Sequence, residues 1–334
     1  MSHTALATIG QIVWRLAELH GIDAGALFHK HALGPELLRD PGARVPSHKW
    51  DAVARDLATR IPDESFALHA GHCWHPSNLG ALGFAWLSSS TLRTGLGRLA
   101  RYWRLLGEKS SVDLVDTQSG LKLAFDSGRS DGIVAPLTAS FTMSLLVAMC
   151  RMNYGDAFKP VQVNFKQVRP ASAPRYQAHF GCPVHFDTGE DSFTLAHADA
   201  DLALPTANRQ IAGTLDQVLA QQLAHVDKTN VVSRCQATLL EQLASGEVSE
   251  GQMAEQLHMS RRTLQRKLAD AETTYQRLVD ATRRDLGLRY IEDPRHSITD
   301  ITFMLGFSEQ SAFTRAFRRW TGASPSEYRR RARS

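Results

Sequence analysis

The sequence of 334 residues predicts an α+β domain with a small, mostly antiparallel sheet, followed by an all-α domain of two helix-turn-helix subdomains joined by a linker helix. Strand patterns lie before about residue 205, and the last hundred residues contain only helical patterns. Residues 1 to 230 carry 21 Lys and Arg against 21 Asp and Glu, whereas residues 261 to 334 carry 16 against 9. This division of charge is typical of a sensing or assembly domain linked to a domain that binds a polyanion.

The first domain, residues 1–205, is predicted from patterns that follow one another along the chain. Helices are expected near Ile9 to His20, Ser47 to Arg60, Thr91 to Leu106 and Ala135 to Tyr154. Strands are expected at SVDLVD and LKLAF, which a turn at Thr117 to Gly120 joins into a hairpin, and at VQVNF, PVHF and SFTLAH. Residues 206–230 form the junction, which begins with a helix over Ala207 to Asp227.

The second domain, residues 231–334, contains an internal repeat. MAEQLHMSRRTLQRKL (Met253 to Leu268) matches ITFMLGFSEQSAFTRAF (Ile301 to Phe317) when one residue is inserted in the second turn. Each copy has the pattern of a short helix, a tight turn and a second helix. Ser260 and Ser308 stand where the second helix requires an N-cap oxygen.

These copies predict helix-turn-helix units at about 248–270 and 297–321. Between them, TTYQRLVDATRRDLGLRYIED predicts a linker helix at about 273–292, which ends at Asp293-Pro294. The second helix of such a unit enters the DNA major groove, where Arg reads guanine, Gln reads adenine, and further Arg and Lys neutralise phosphates.

Helical spacing divides each second helix into a buried face and a DNA-binding face. Leu264 and Leu268 point inward in the first copy, and Phe313, Phe317 and Trp320 do so in the second. The residues predicted to contact DNA are therefore Ser260, Arg261, Arg262, Gln265, Arg266, Ser311, Ala312, Arg315, Arg318 and Arg319. Of these, Arg318 and Arg319 are expected near the DNA backbone.

Residues from about Val231 to Arg330 resemble the AraC/XylS family of bacterial transcription regulators, through MSRRTLQRKL and LGFSEQSAFTRAFRRWTGASPSEYR. The resemblance implies two helix-turn-helix subdomains and a linker helix. The family usually has Gly at the position of Glu272 and Ala at the position of Thr302, so one turn and one close helix contact are expected to differ locally.

The first domain resembles the ligand-binding domain of the subset of this family that includes ornithine-utilisation regulators. The similar stretches are PSNLGALGFAWLSSSTLRTGLGRLARYWRLL and VNFKQVRPASAPRYQAHFGCPVHF. The resemblance implies a domain that senses a small molecule and dimerises, without naming the effector. Trp86, Arg101, Tyr102 and Trp103 are candidates for the lining of its pocket, although such residues are more often core.

Other motifs in the sequence give weaker indications of function. HAGHCWH places His69, His72, Cys73 and His75 close together, but with no second ligand cluster; helix capping and packing next to Pro76 explain it better than a metal. Gly95 and Gly97 lack the strand and third glycine of a dinucleotide site, so no cofactor is expected. The longest apolar stretch, Met143 to Cys150, is too short to cross a bilayer, and the start has no export signal.

The sequence thus predicts a cytoplasmic, DNA-binding transcription regulator, and the family resemblance implies an activator. Its expected partners are double-stranded promoter DNA, RNA polymerase, a small-molecule effector and a second copy of the chain. Two alternatives stay open: a DNA-tethered enzyme, which the absence of a recognisable nucleophile and base disfavours, and a regulator whose first domain only dimerises.

Overall fold

The computed structural model describes residues 3–226, 231–243, 249–271, 273–291, 293 and 295–331. The chain forms two compact units, the N-terminal unit (Met1–Leu215) and the C-terminal unit (Asp216–Ser334). The division falls inside the helix that the sequence predicts for the junction, about ten residues after the predicted domain boundary. The predicted boundary at 226–230 lies largely outside the described residues.

The N-terminal unit is mainly helical. Its helices are α1 (Gly10–Leu19), α2 (Ala24–Lys30), α3 (Pro35–Arg39), α4 (Ser47–Arg60), α5 (Ala70–Cys73), α6 (Ala81–Leu87), α7 (Leu92–Leu106), α8 (Val134–Tyr154), α9 (Ala173–Phe180) and α10 (His197–Asp201). Single turns of 3-10 helix lie at Ala7–Ile9, Phe66–His69 and Pro76–Leu79. Helix α11 (Arg209–Val226) follows across the division.

The predicted sheet is confirmed. Its strands are β3 (Ser111–Thr117), β4 (Gly120–Asp126), β5 (Gln162–Asn164), β6 (Val184–His185) and β7 (Asp191–Leu195), in the order β3-β4-β7-β5-β6. Only the β5–β6 pair is parallel among these described strands. A second, two-stranded sheet of β1 (Thr4–Leu6) and β2 (Arg44–Pro46) was not predicted.

Helix α8 forms the centre of this unit. It packs against α4, α5, α7 and β7, and Met143, Val147 and Cys150 on it are fully buried. Among the described residues, α8 is the one helix long and apolar enough to cross a membrane, and 61% of its apolar stretch is buried within the unit. The helix extends beyond the apolar run Met143 to Cys150 that the sequence shows. Its buried share is typical of a core helix.

The C-terminal unit contains only helices in its described part, as predicted. They are α12 (Val231–Gln242), α13 (Glu250–Gln256), α14 (Arg261–Asp270), α15 (Tyr275–Ile291), α16 (Ile298–Met304), α17 (Gln310–Thr321) and α18 (Pro325–Arg331). Helices α13 and α14 form the first helix-turn-helix, α15 is the linker helix, and α16 and α17 form the second. The sequence predicts that the linker helix ends near Glu292 and Pro294, and both residues lie outside the described part of the chain.

Candidate nucleic-acid interface

The first helix-turn-helix holds α14 by its apolar face. Leu264 is fully buried and Leu268 nearly so, both in the core of the C-terminal unit. Ser260 caps α14, since its Oγ accepts a hydrogen bond from Thr263 N at 3.1 Å, as the sequence predicts. With the two leucines inward, the opposite face of α14 is turned to solvent.

That exposed face carries the predicted readers of the first unit. Arg262, Gln265 and Arg266 are all exposed, and so are Arg261 and Lys267 at its edges. Their side chains are long enough to reach base edges or phosphates. The structure therefore places on one exposed helix face the residues of the first unit that the sequence pattern predicts to contact DNA.

A carboxylate that the sequence reading missed lies beside this face. Glu250, at the start of α13, accepts hydrogen bonds at Oε2 from Arg261 Nε at 2.8 Å and from Gln265 Nε2 at 3.1 Å. Its side chain is 17% exposed, whereas that of Arg261 is 66% exposed. No spacing rule pairs residues 11 and 15 positions apart, because only the turn between α13 and α14 brings them together.

The second helix-turn-helix holds α17 with aromatic rings. Phe313 and Phe317 are fully buried, and Trp320 packs with its ring centroid 6.3 Å from that of Phe317. The opposite side presents Ser311 and Arg315 to solvent, with Ala312 half-buried between them. This arrangement agrees with the predicted division of the helix into an aromatic inner face and a small-plus-Arg outer face.

The predicted cap of α17 is wrong. Its N-cap is Glu309 rather than Ser308, and no side chain caps the helix. The cause is the inserted residue: five residues separate α16 from α17, whereas four separate α13 from α14, so the residue equivalent to Ser260 is Glu309. Glu309 Oε1 instead accepts a hydrogen bond from Ser311 Oγ and lies 3.6 Å from Arg315 Nη2.

The linker helix α15 fixes the second unit through a buried arginine. Arg283 is 6% exposed; its Nε donates to the carbonyl of Leu305 at 2.9 Å and its Nη2 to that of Gly306 at 2.8 Å. The guanidinium also lies 4.5 Å from the ring centroid of Phe307. Arg283 therefore ties the end of α16 and the following turn to the linker.

The two remaining predicted arginines differ in their surroundings. Arg318 is exposed. Arg319 donates from Nη2 to Asp280 Oδ2 on the linker helix at 2.8 Å. Arg319 must therefore leave, or share, an ion pair if it is to neutralise a DNA phosphate.

Thr302 is one of the two positions that depart from the pattern of the family that the sequence resembles. Thr302 is fully buried in α16, where its hydroxyl donates to the carbonyl of Ile298 at 2.8 Å. The extra polar group is thus satisfied inside its own helix, and the helix-turn-helix is kept. Glu272 lies outside the described residues.

The four candidate sensor residues of the N-terminal unit differ in their surroundings. A cavity of about 190 Å³ lies in this unit, and Trp103 lines it. Trp86 is buried elsewhere, donates from Nε1 to the Met149 carbonyl at 3.0 Å and packs against Gly95, where any Cβ would come within 2.8 Å of its ring. Tyr102 is buried and Arg101 exposed, both outside the cavity lining.

The histidine-rich stretch is used for packing and capping. His75 accepts a hydrogen bond from Ser77 N and caps the 3-10 turn that begins at Pro76, the structural role predicted for it. His69 Nδ1 lies 3.0 Å from His20 Nε2. His179 packs edge-on to His72, and its Nε2 lies 3.0 Å from Ser144 Oγ; burial lowers the pKa of His179 to about 4.

Comparisons with known families agree with both halves of this description. Residues 21–204 match the family described as the arabinose-binding domain of AraC transcription regulators, N-terminal. Residues 253–331 match a helix-turn-helix domain family.

The chain is also similar over most of its length to curated regulators. It is 28% identical over 311 residues to the ornithine utilization regulator of Pseudomonas aeruginosa, covering 93% of this chain and 91% of that protein. It is 27% identical over 253 residues to the HTH-type transcriptional regulator VirS of Mycobacterium tuberculosis, covering 75% and 74%. The crystal structure of the transcriptional regulator CdpR from Pseudomonas aeruginosa aligns over 96% of this chain and 98% of that one, at 22% identity and a TM-score of 0.49.

Proposed function

The chain belongs to the AraC family of transcription regulators, and from this premise we propose that it is an activator that binds promoter DNA as a homodimer and responds to a small molecule held by its N-terminal unit. DNA binding itself follows from the family and from the two helix-turn-helix units. Activation, dimerisation and the effector are the parts that require experiment.

The observation that carries the proposal is the pair of exposed recognition faces. Each is built on a helix with a buried apolar stripe, and each displays an arginine at the equivalent position, Arg266 in α14 and Arg315 in α17. The linker helix α15 packs against α16 and α17 of the second unit and against α12, which in turn packs against α14 of the first unit, so the two faces are connected through α12 and α15. Each protomer is therefore proposed to enter two successive major grooves, about one helical turn apart.

The remaining partners are proposed from the regulator role. RNA polymerase is the proposed target of an activator, and the cytoplasm is the proposed location because promoter DNA is there. The proposed small-molecule site is supported by the cavity in the N-terminal unit. We propose no enzymatic reaction, since the relatives that the chain matches are named as transcription regulators.

The proposal is tested by footprinting the full chain on the promoter regions around its own gene. The expected result is two adjacent protected segments per half-site on one face of the DNA. If about five arginines and lysines reach phosphates, log affinity should fall against log salt with a slope of roughly −4 to −5.

A pair of double variants provides the control. Arg266→Ala with Arg315→Ala removes one reader from each recognition face and should abolish the specific footprint. Arg39→Ala with Arg55→Ala removes the same charge from helices of the N-terminal unit and should leave it intact. Equal loss of the footprint in both, or no footprint in the wild-type chain, would contradict the proposed function.

A further inference from the structure

The cavity of the N-terminal unit is mostly apolar but contains one cluster of charge. Side chains such as Leu16, Val53, Leu57 and Leu145 form its walls. Among the described residues that line it, three carry charge: Asp51, Lys109 and Arg129. The hydroxyl groups of Ser47, Ser110, Thr138 and Thr142 also line it, and an apolar wall with a few polar groups is the arrangement expected of a small-molecule site.

The three charged side chains contact one another. Arg129 Nη2 lies 2.6 Å from Asp51 Oδ1, and Lys109 Nζ lies 3.1 Å from Asp51 Oδ2. Both oxygens of the single carboxylate are therefore engaged, while two cations share it, and the cluster keeps a net charge of about +1 at neutral pH. The Lys109 ammonium retains donors beyond the one directed at Asp51.

A second observation, independent of charge, is an unpaired hydrogen-bond donor. Trp50 lines the same cavity, and its Nε1 is buried with no hydrogen-bond acceptor among the residues that the structure describes. A buried N–H without a partner is costly, because it has lost its hydrogen bond to water. The indole is held in place by its packing on Gly10, where a Cβ would come within 2.4 Å of the ring.

The size of the cavity limits what it holds. A cavity of about 150 Å³ accommodates the six carbon atoms of benzene, so about 190 Å³ suits a molecule of roughly eight non-hydrogen atoms. The apolar part of this molecule must match the cavity walls. Its polar part must accept hydrogen bonds from the charged cluster and carry negative charge.

From these observations we infer that the effector is a small monocarboxylic acid with an apolar chain or ring of about six carbons, whose carboxylate is bound by Lys109 and Arg129 and accepts a hydrogen bond from Trp50. This inference rests on the proposed effector-sensing function and names its chemical class. A diamino acid such as ornithine is disfavoured, because Asp51 is the one carboxylate among the described lining residues and both of its oxygens are already paired with Lys109 and Arg129.

The test is calorimetric titration of the full chain with hexanoate and benzoate, and with hexylamine, hexanol and ornithine as controls. Both acids should bind, and at a hundred times its Kd hexanoate should raise the midpoint of thermal unfolding by roughly 5 °C. Hexanol should bind at least tenfold more weakly, and hexylamine and ornithine should not bind. Binding of benzoate alone or hexanoate alone would assign a ring or a chain to the apolar part.

Four variants test the assigned contacts. Lys109→Met and Trp50→Phe should each weaken hexanoate binding about tenfold or more, while Lys109→Met leaves hexanol binding unchanged. Ala54→Leu fills the cavity and should prevent binding, whereas Ala52→Leu, on the same helix but outside the lining, should not. Thermal unfolding of each unliganded variant shows whether it is folded.

The outcomes separate this inference from the proposed function. If the acids fail to bind while the wild-type chain still protects its promoter DNA, the effector class is wrong and DNA binding stands. Tighter binding of ornithine or hexylamine than of hexanoate, or equal hexanoate affinity in Ala54→Leu and Ala52→Leu, would also overturn the inference. Binding of hexanoate without any DNA footprint would keep the cavity assignment and refute the regulator role.

Discussion

Replacement of Arg283 by Leu should detach the second helix-turn-helix from the linker helix. The substitution removes the donors to the carbonyls of Leu305 and Gly306 and the contact with the Phe307 ring. The buried Leu305 carbonyl left without a partner costs about 1–3 kcal/mol, the half-buried Gly306 carbonyl costs less, and loss of the cation–π contact adds about 1–2 kcal/mol. Leucine recovers part of this, because no charge is then buried. The expected net loss is about 3 kcal/mol in the stability of α16 and α17.

Hydrogen exchange measured by mass spectrometry on the full chain detects this loss element by element. About 3 kcal/mol corresponds to roughly a hundredfold faster exchange where opening limits exchange. Peptides from α16 and α17 should show it, and peptides from the N-terminal unit should not. On promoter DNA, protection over the segment bound by the second unit should be lost first, because α17 no longer keeps a fixed position.

Arg284→Leu is the matched control. Arg284 is the next residue of the same helix and is exposed, so its replacement should change stability by less than about 0.5 kcal/mol. If the two variants exchange at the same rate in α16 and α17, the buried arginine does not hold the second unit, and the reasoning is refuted.

Three further predictions follow from the interface and from the core. Arg266→Ala should relax the base preference under the first unit and weaken specific DNA binding by about 1–3 kcal/mol, whereas Arg318→Ala should weaken binding to all DNA sequences alike. Selection of binding sites from random DNA measures both effects, and an unchanged wild-type motif in Arg266→Ala would contradict the prediction. Ser260→Ala should lower the free energy of unfolding of the C-terminal unit by about 1 kcal/mol in urea titrations, while Ser308→Ala, which removes no cap, should change it little, and equal losses would argue against the cap assignment. Because the pKa of His179 is about 4 when folded and about 6.5 when unfolded, the unfolded chain takes up the proton first, so stability is lost as pH falls from about 6.5 towards 4; the melting midpoint of His179→Gln should fall less over that range, and parallel pH profiles would count against the assignment.

Much of the fold could be predicted because its elements have strong periodicity. The helix over Ser47–Arg60 has the predicted limits, and the strand patterns all became strands of one sheet. The sheet of β1 and β2 was missed because each strand has three residues and pairs with a segment some 40 residues away, so no local pattern exists.

The candidate site was predictable to a similar extent. Helical spacing gave the exposed faces of α14 and α17, since burial of Leu264 and Phe313 fixes the rotation of each helix. The cap of α17 was misplaced because the repeat alignment shows that one residue is inserted but not on which side of the cap it falls. The cavity was beyond the sequence, because Trp50, Lys109 and Arg129 come from three separate segments.

We expect the carboxylates of Glu250 and Glu309 to influence which DNA sequences the recognition faces accept. In the unbound chain Glu250 accepts hydrogen bonds from Arg261 and Gln265 in the first unit, and Glu309 accepts one from Ser311 in the second. A non-matching DNA sequence offers only phosphates, which draw these side chains away from the glutamates without replacing the lost hydrogen bonds by contacts to bases. The phosphates also bring negative charge close to both carboxylates. A matching base would replace the broken hydrogen bonds, so we expect the two glutamates to weaken binding to incorrect sequences more than binding to the operator.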